Sequence, residues 1–293
     1  MRIVFIGAVA FSARALRELI EMQAEIVGVC TLKESAFNTD HEDLAPIASG
    51  SGIPVLYAPN LDDSESLDWI RERSPDVIFC FGWSRLLAAA LLALPPMGVI
   101  GFHPTALPAN RGRHPLIWAL VLGLRETAST FFFMDEKADS GDLLSQVTVP
   151  IGELDDAAQL YERVTDVAMT QLHDIVPRLA QGDIQLQPQD PEAASTWRKR
   201  GAADGRIDWR MAAENIHNLV RGLTRPYVGA HFDYREQPIK VWKIAIVAEA
   251  PAHIEPGKVL SVDEDGVLIK AGSGAVRLLD YTPRLSFRLG EYL

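Results

Sequence analysis

Only two cysteines occur in 293 residues. Cys30 and Cys80 each sit inside an apolar, strand-like run, EIVGVCTL and DVIFCFGW. Each therefore reads as a buried free thiol rather than half of a disulfide, the usage expected of a cytoplasmic chain. No stretch reaches the ~18 consecutive apolar residues of a membrane-spanning helix, so no membrane is expected as a partner. The opening MRIVFIGAVAF is apolar but short, and it lacks a separate charged region and a cleavage site. It reads as a first core strand, not a signal peptide. Where a G-x-G-x-x-G would follow that strand stands GAVAFS, so nothing supports NAD binding. A P-loop, a Cys/His set with zinc spacing and a G-x-S-x-G elbow are also missing. These absences remove the commoner α/β enzyme classes and leave no metal site to expect.

Positive charge is scarce in one part of the chain. The net charge is −11. Residues 184–293 hold 15 Lys and Arg against 14 Asp and Glu, whereas residues 1–183 hold 13 against 25. A protein that grips a nucleic-acid backbone normally shows a basic face, so a nucleic-acid partner is not expected.

What is present is a βαβ rhythm. RIVFIG reads as a strand and SARALRELIEM as a helix with Ser12 at its N-cap. EIVGVCTL, IPVLYAP, PDVIFCFG and GVIGFH read as further strands. Helices are expected at LAPIASGSG, SESLDWIRERS, RLLAAALLAL and, from Pro115, PLIWALVLGL. The pattern predicts a Rossmann-like, doubly wound parallel sheet, with ligands beyond the carboxyl ends of the strands. STFFFMDEKADSGDLLSQVTVPIG reads as two strands joined by an Asp/Gly loop, and residues 155–183 as a long helix. We place the N-terminal domain at 1–183, a polar linker at 184–202 and a C-terminal domain at 203–293. In the last, short strands and tight turns suggest a small OB-like β-barrel or sheet. That module is open to three uses: part of an acceptor pocket, a spacer, or the surface of a homodimer.

The candidate chemistry lies in GVIGFHPTALPANRGRHP and KADSGDLL. His103 closes a strand, and Asp139 follows a neighbouring one. An aspartate that accepts from one imidazole nitrogen fixes the tautomer and raises the basicity of the other. Read singly, each feature has a plain structural alternative. His103 before Pro104 is a strand end, Asp139-Ser140-Gly141 a turn, and Arg111-Gly112-Arg113 a solvated turn.

Together, the two stretches resemble the folate-dependent formyltransferase family. Its signature runs Asn-x-His-x-x-Leu-Leu-Pro…Arg-Gly and later Asp-x-Gly-Asp. The likeness extends to MRIVFIG, GIPVLYAPN, SPDVIFCFGWSRLL, RPYVGAHFDYREQPIKVW and SFRLGEYL. It implies a Rossmann-like domain that takes 10-formyltetrahydrofolate as co-substrate, no metal, and a C-terminal open β-barrel. His103 matches the family's catalytic histidine and Asp139 its partner. Arg85, Leu86, Leu87, Arg113 and the run Asp135, Glu136, Lys137, Ala138 match positions that contact the folate. Asn110 and Arg111 are expected at the acceptor. The chain departs from the signature at one position, where Gly101 replaces the catalytic asparagine. Three consequences stay open: another donor (Asn110, Arg113 or a water) replaces the amide, the enzyme runs slowly, or the protein binds without catalysing.

The acceptor is read from the loop KESAFNTDHED. It holds Glu34, Asp40, Glu42 and Asp43 against Lys33 and His41, a charge that repels phosphate backbones. The loop resembles the SAFGS-like region of relatives that formylate nucleotide-linked amino sugars, including the formyltransferase domain of the lipid A aminoarabinose pathway. The expected acceptor is therefore a small-molecule sugar nucleotide of the 4-amino-4-deoxy or 4-amino-4,6-dideoxy type. Methionyl-tRNA is the alternative.

Overall fold

Two parallel strands side by side open the chain, β1 (Arg2–Ile6) and β2 (Glu25–Thr31), joined by α1 (Ala10–Glu21). The computed structural model describes all residues except 36 and 37. The middle of the SAFGS-like stretch thus lies outside the described residues. Two compact units form, one from Met1–Pro115, Thr127–Val149 and Glu162–Trp197, the other from Leu116–Glu126, Pro150–Tyr161 and Arg198–Leu293. Residues 184–197 of the polar connector belong to the first unit and 198–202 to the second.

The first unit continues through α2 (Ala45–Gly50), β3 (Val55–Tyr57), α3 (Ser64–Glu72), β4 (Val77–Cys80), α4 (Ala89–Leu92) and β5 (Val99–His103). After the two-residue β6 (Arg111–Gly112) come α5 (Pro115–Val121), which beyond Pro115 belongs to the second unit, then β7 (Glu126–Phe133), β8 (Leu143–Pro150), α6 (Ala157–Gln181), which through Tyr161 also belongs to the second unit, and the short β9 (Thr196–Trp197). The seven-stranded order is β3-β2-β1-β4-β5-β7-β8. The chain reverses its winding between β1 and β4, which makes that edge the switch point where ligands bind such sheets. The sheet is mixed rather than wholly parallel, because β7 runs antiparallel to β5. Two of the local expectations change. Ser12 lies inside α1, whose N-cap is Val9. Its hydroxyl accepts the Val9 N–H at 3.3 Å and donates to the Phe81 carbonyl at 2.6 Å. The helix expected from Arg85 begins only at Ala89, since Ala88 is extended and its N–H donates to Asp62 Oδ1.

Alternation along β5 decides what reaches the site. Successive strand residues face opposite sides of a sheet. Phe102 joins the aromatic side, stacked on Phe11 with ring centres 4.1 Å apart and tilted against Phe131 at 5.1 Å. Phe131 in turn meets Phe81 edge to face. Such pairs contribute about 0.5–1.5 kcal/mol each beyond area burial. Val99, Gly101 and His103 therefore face the other side, where Val99 packs with Val4, Ile6, Ile78 and the two thiols. Both thiols are free and buried, and burial pushes Cys30 up to about 12 and raises Cys80 as well.

The second unit combines α7 (Ala213–Leu223) with β10 (Ala230–Tyr234), β11 (Gln237–Val247), β12 (Val259–Asp263), β13 (Gly266–Lys270) and β14 (Ala275–Thr282). The strands form one antiparallel sheet of order β10-β11-β14-β13-β12. Its core gathers Ile216, Leu219, Phe232, Ile239, Val241 and Leu278 around Trp209. Isolated bridges from Arg206 to His231 and from Lys258 to Tyr292 lie beside the edge strands.

Candidate functional site

His103 is the last residue of β5, paired opposite Thr130 of β7, and its side chain is only 6% exposed. The turn that follows is fastened to β7 by buried threonines. Thr130 donates to the Thr105 carbonyl at 2.6 Å and Thr127 to the Pro104 carbonyl at 2.8 Å. These two contacts explain Thr127 and Thr130 in the apolar strand ETASTFFF. Asn110 takes the left-handed conformation (φ 65°), and its carbonyl lies 3.0 Å from His103 Nε2. A carbonyl can only accept, so Nε2 is the protonated nitrogen.

Asp139 also sits at positive φ, 54°. Its Oδ2 accepts the Gly112 N–H at 2.8 Å and stands 3.7 Å from His103 Nδ1. That separation is an electrostatic pairing rather than a direct hydrogen bond. The expected pair is thus brought together, with one change. The nitrogen meant to be left for substrate is held by Asn110, and the nitrogen beside Asp139 carries the lone pair. Nδ1 is therefore where a proton can land, and the resulting imidazolium would be balanced by a carboxylate exposed by 20%.

Two glycines enforce this geometry. A Cβ on Gly141 would lie 1.8 Å from the Phe133 carbonyl oxygen, and one on Gly112 2.4 Å from that of Trp197. Gly112 also has φ 98°, which disfavours any side chain.

Gly101 has a different neighbourhood. A Cβ there would meet Met134 Cγ at 2.9 Å and the Phe132 ring at 3.0 Å. Phe132 packs with Leu107 and Leu143, and Met134 packs against all three. Apolar side chains thus occupy the direction an asparagine amide would take. The substitutes expected from the sequence are engaged elsewhere. Arg113 Nη1 donates to the Ser84 carbonyl at 2.8 Å. Asn110 Oδ1 accepts from Ser195 at 3.3 Å, and the Asn110 backbone, not its side chain, meets His103. Arg111 gives Nη2 and Nε to Gln189 Oε1, at 2.6 and 3.2 Å.

The remaining expected residues fall on two segments. Arg85 donates to the Pro59 carbonyl, Leu86 is 59% exposed and Leu87 is buried. In 135–138, Asp135 Oδ1 accepts from the Lys137 N–H and from the Ser140 hydroxyl, closing the turn that leads to Asp139. Glu136 and Ala138 lie in the same turn. Among the described residues no group of three or more His, Cys, Asp or Glu gathers as a metal cluster would, and no helix is long and apolar enough to cross a membrane.

Sequence reasoning missed Gln189 and Ser195. Both lie in a stretch whose polarity reads as linker, and their partners are mostly backbone atoms that no sequence pattern reveals.

Comparison with known proteins gives the family and the fold. Methionyl-tRNA formyltransferase of Citrifermentans bemidjiense is 34% identical over 280 residues, covering 94% of this chain and 87% of that protein. The same enzyme of Halalkalibacterium halodurans is 33% identical, covering 97% and 90%. Among solved structures, the N-formyltransferase from Helicobacter canadensis in complex with folinic acid and dTDP-3-aminofucose superposes with a TM-score of 0.72 at 16% identity, over 94% of this chain and 98% of that one. HypX from Aquifex aeolicus in complex with tetrahydrofolic acid gives 0.68 at 20% identity over 95% of this chain, which spans less than half of HypX (43%). At such identities these structures speak for the fold. Residues 1–176 match the formyl transferase family and residues 200–285 its C-terminal domain. The chain belongs to the formyl transferase family, whose members are enzymes that transfer formyl groups.

Proposed function

We propose that this enzyme formylates the amino group of a nucleotide-linked amino sugar, with 10-formyltetrahydrofolate as donor. The observation that carries the choice of acceptor is the state of the basic residues. In residues 198–293, seven arginines each stand within 4.0 Å of a carboxylate of the same unit, among them Arg198 on Asp204, Arg206 on Asp233 and Arg225 on Asp280. Exposed pairs of this kind contribute little to stability. They do cancel the positive field that would draw in a polyanion. The loop after β2 offers no compensation, since Arg17 is spent on Glu42 at 2.9 Å and Asp43 accepts from Tyr57. A sugar nucleotide brings only one or two phosphates and needs no such field. The Helicobacter canadensis enzyme, crystallised with a nucleotide-linked amino sugar, supports the same reading.

The residues present suit a folate. Leu86 offers an exposed apolar surface, and Arg85 beside it supplies a cation for an anionic tail. When bound, the co-substrate supplies the formyl carbon. Attack by a neutral amine leaves an excess proton on the nitrogen and negative charge on the formyl oxygen. His103 Nδ1 takes that proton and returns it to the donor's nitrogen as the bond from that nitrogen to the formyl carbon breaks, so that tetrahydrofolate leaves neutral and the formyl group stays on the amine. Asn110 holds the ring in the competent tautomer, and Asp139 stabilises the transient imidazolium. A positioned base of this kind contributes about 10²–10⁴ in rate. With Gly101 in place of an amide donor, turnover is expected about 10²–10³ below that of a site having both.

The second reading, methionyl-tRNA, rests on the relatives at 31–34% identity. The test is a competition assay. Full-length enzyme and 10-formyltetrahydrofolate are offered UDP-, dTDP-, GDP- and CMP-linked 3-amino and 4-amino sugars, and separately methionyl-tRNA, with tetrahydrofolate release followed spectroscopically. We expect kcat/KM for one sugar nucleotide to exceed that for methionyl-tRNA by at least ~10²-fold. Formylation of methionyl-tRNA with none of the sugars turned over would overturn the proposal.

A further inference from the structure

We propose that Gln189, from the polar connector, is a positioning residue for formyl transfer that holds the Asp139 turn against the loop carrying Asn110 and Gly112. This inference rests on the reading of His103 and Asp139 as the proton-accepting pair.

The amide of Gln189 uses its whole hydrogen-bonding capacity between the two loops. Its Nε2 donates to the carbonyls of Asp139 at 3.0 Å and Gly141 at 2.7 Å. Its Oε1 accepts both contacts from Arg111. Arg111 stands between Asn110, whose carbonyl holds His103 Nε2, and Gly112, whose N–H holds Asp139 Oδ2. A single side chain thus bonds one neighbour of each dyad contact and the main chain of Asp139 itself. An amide has two donors and two lone pairs, and all four are engaged here.

The rest of the connector braces the same loops. Leu143 and Gln187 exchange backbone hydrogen bonds at 2.8 and 3.0 Å. The Ser195 hydroxyl accepts the Asn110 N–H at 2.9 Å, and the Ser195 carbonyl accepts the Arg111 N–H at 2.9 Å. β9 then pairs with β6, bringing the Trp197 carbonyl to the Arg113 N–H. Left-handed backbone at non-glycine residues persists only where the surroundings over-determine it. At Asp139 the supports are Gly112 and Gln189, and removing Gln189 leaves one of them.

The test compares Gln189→Leu and Gln189→Glu in the full chain. Leucine keeps the bulk and removes every polar contact. Glutamate keeps an acceptor for Arg111 but has no donor for the two carbonyls. A displacement of about 1 Å at a reacting group can cost 10²-fold. We expect kcat to fall 10- to 100-fold in both variants, with the acceptor KM within threefold of wild type. The ¹⁵N resonances of the His103 ring should also change at Nδ1, because Asp139 moves relative to it. Thermal melting checks folding, and Gln189→Glu carries the test if the leucine variant does not fold. Unchanged His103 resonances overturn the proposal whether or not kcat falls, and so does kcat within twofold of wild type in both variants. His103→Ala, assayed in parallel, addresses the dyad separately. Full activity of His103→Ala sinks the catalytic reading, while the His103 ring resonances in the two Gln189 variants still report on Gln189.

Discussion

In the first unit Asn110 and Asp139 hold φ angles of 65° and 54°, and in the second Arg235 and Glu236 hold 50° and 62°. The backbone region is the same, and its uses differ. Arg235 and Glu236 form the two-residue loop between β10 and β11, where positive φ at both positions matches the twist of a hairpin. The Arg235 side chain reaches Glu291 at 3.4 Å, but the backbone of the turn closes by local geometry. Asn110 and Asp139 lie in separate loops, and each depends on partners far along the chain: Ser195 for one, Gly112 and Gln189 for the other. Each also presents a group to His103. Left-handed residues that distant contacts must hold mark the site, whereas left-handed residues that close a hairpin mark a turn.

Substitutions can break or sharpen this contrast. The largest effect is expected at Gly141→Ala. The new Cβ would drive into the Phe133 carbonyl, a backbone atom that cannot step aside. We expect a loss of about 3 kcal/mol or more, read as a fall of roughly 6–12 °C in melting temperature, with kcat reduced at least ~10²-fold because Asp139 moves with the turn. A variant with normal melting and activity would show that the turn is not over-determined.

Gly101→Asn comes next. It restores the family's residue but not its environment, since Met134 and Phe132 fill the space. We expect a loss of about 1–3 kcal/mol in denaturant unfolding and no gain in kcat. A rise in kcat of tenfold or more would mean that the amide finds room and that glycine alone limits the rate.

The smallest effect is expected in the hairpin. Glu236→Gly relieves a left-handed side chain at a residue remote from the dyad in sequence, and should stabilise the protein by about 0.5–1 kcal/mol with kcat unchanged. A loss of activity there would erase the distinction between the two uses.

The order of strands and helices was legible in the sequence because apolar runs such as PDVIFCFG carry the burial signal themselves. The meeting of His103 and Asp139 was legible because both end up beyond the strands that deliver them. The antiparallel course of β7 was not, since a strand buried on both faces reads alike in either direction. Nor was the packing at Gly101. Met134 is a neighbour across the sheet that the sequence places 33 positions away. Gln189 was hidden for a different reason: its value lies in backbone carbonyls, and a polar connector with no apolar period announces none of them. The tautomer of His103 was likewise invisible, because the partner of Nε2 is a main-chain oxygen.

The most direct test of the central claim is the activity of His103→Gln. Glutamine can still donate to the Asn110 carbonyl, but it has no basic nitrogen to face Asp139. If Nδ1 accepts the amine's proton, kcat with the best acceptor falls about 10²–10⁴-fold while the melting temperature stays near that of wild type. Turnover within tenfold of wild type in a folded variant would contradict the account and leave His103 a structural strand end.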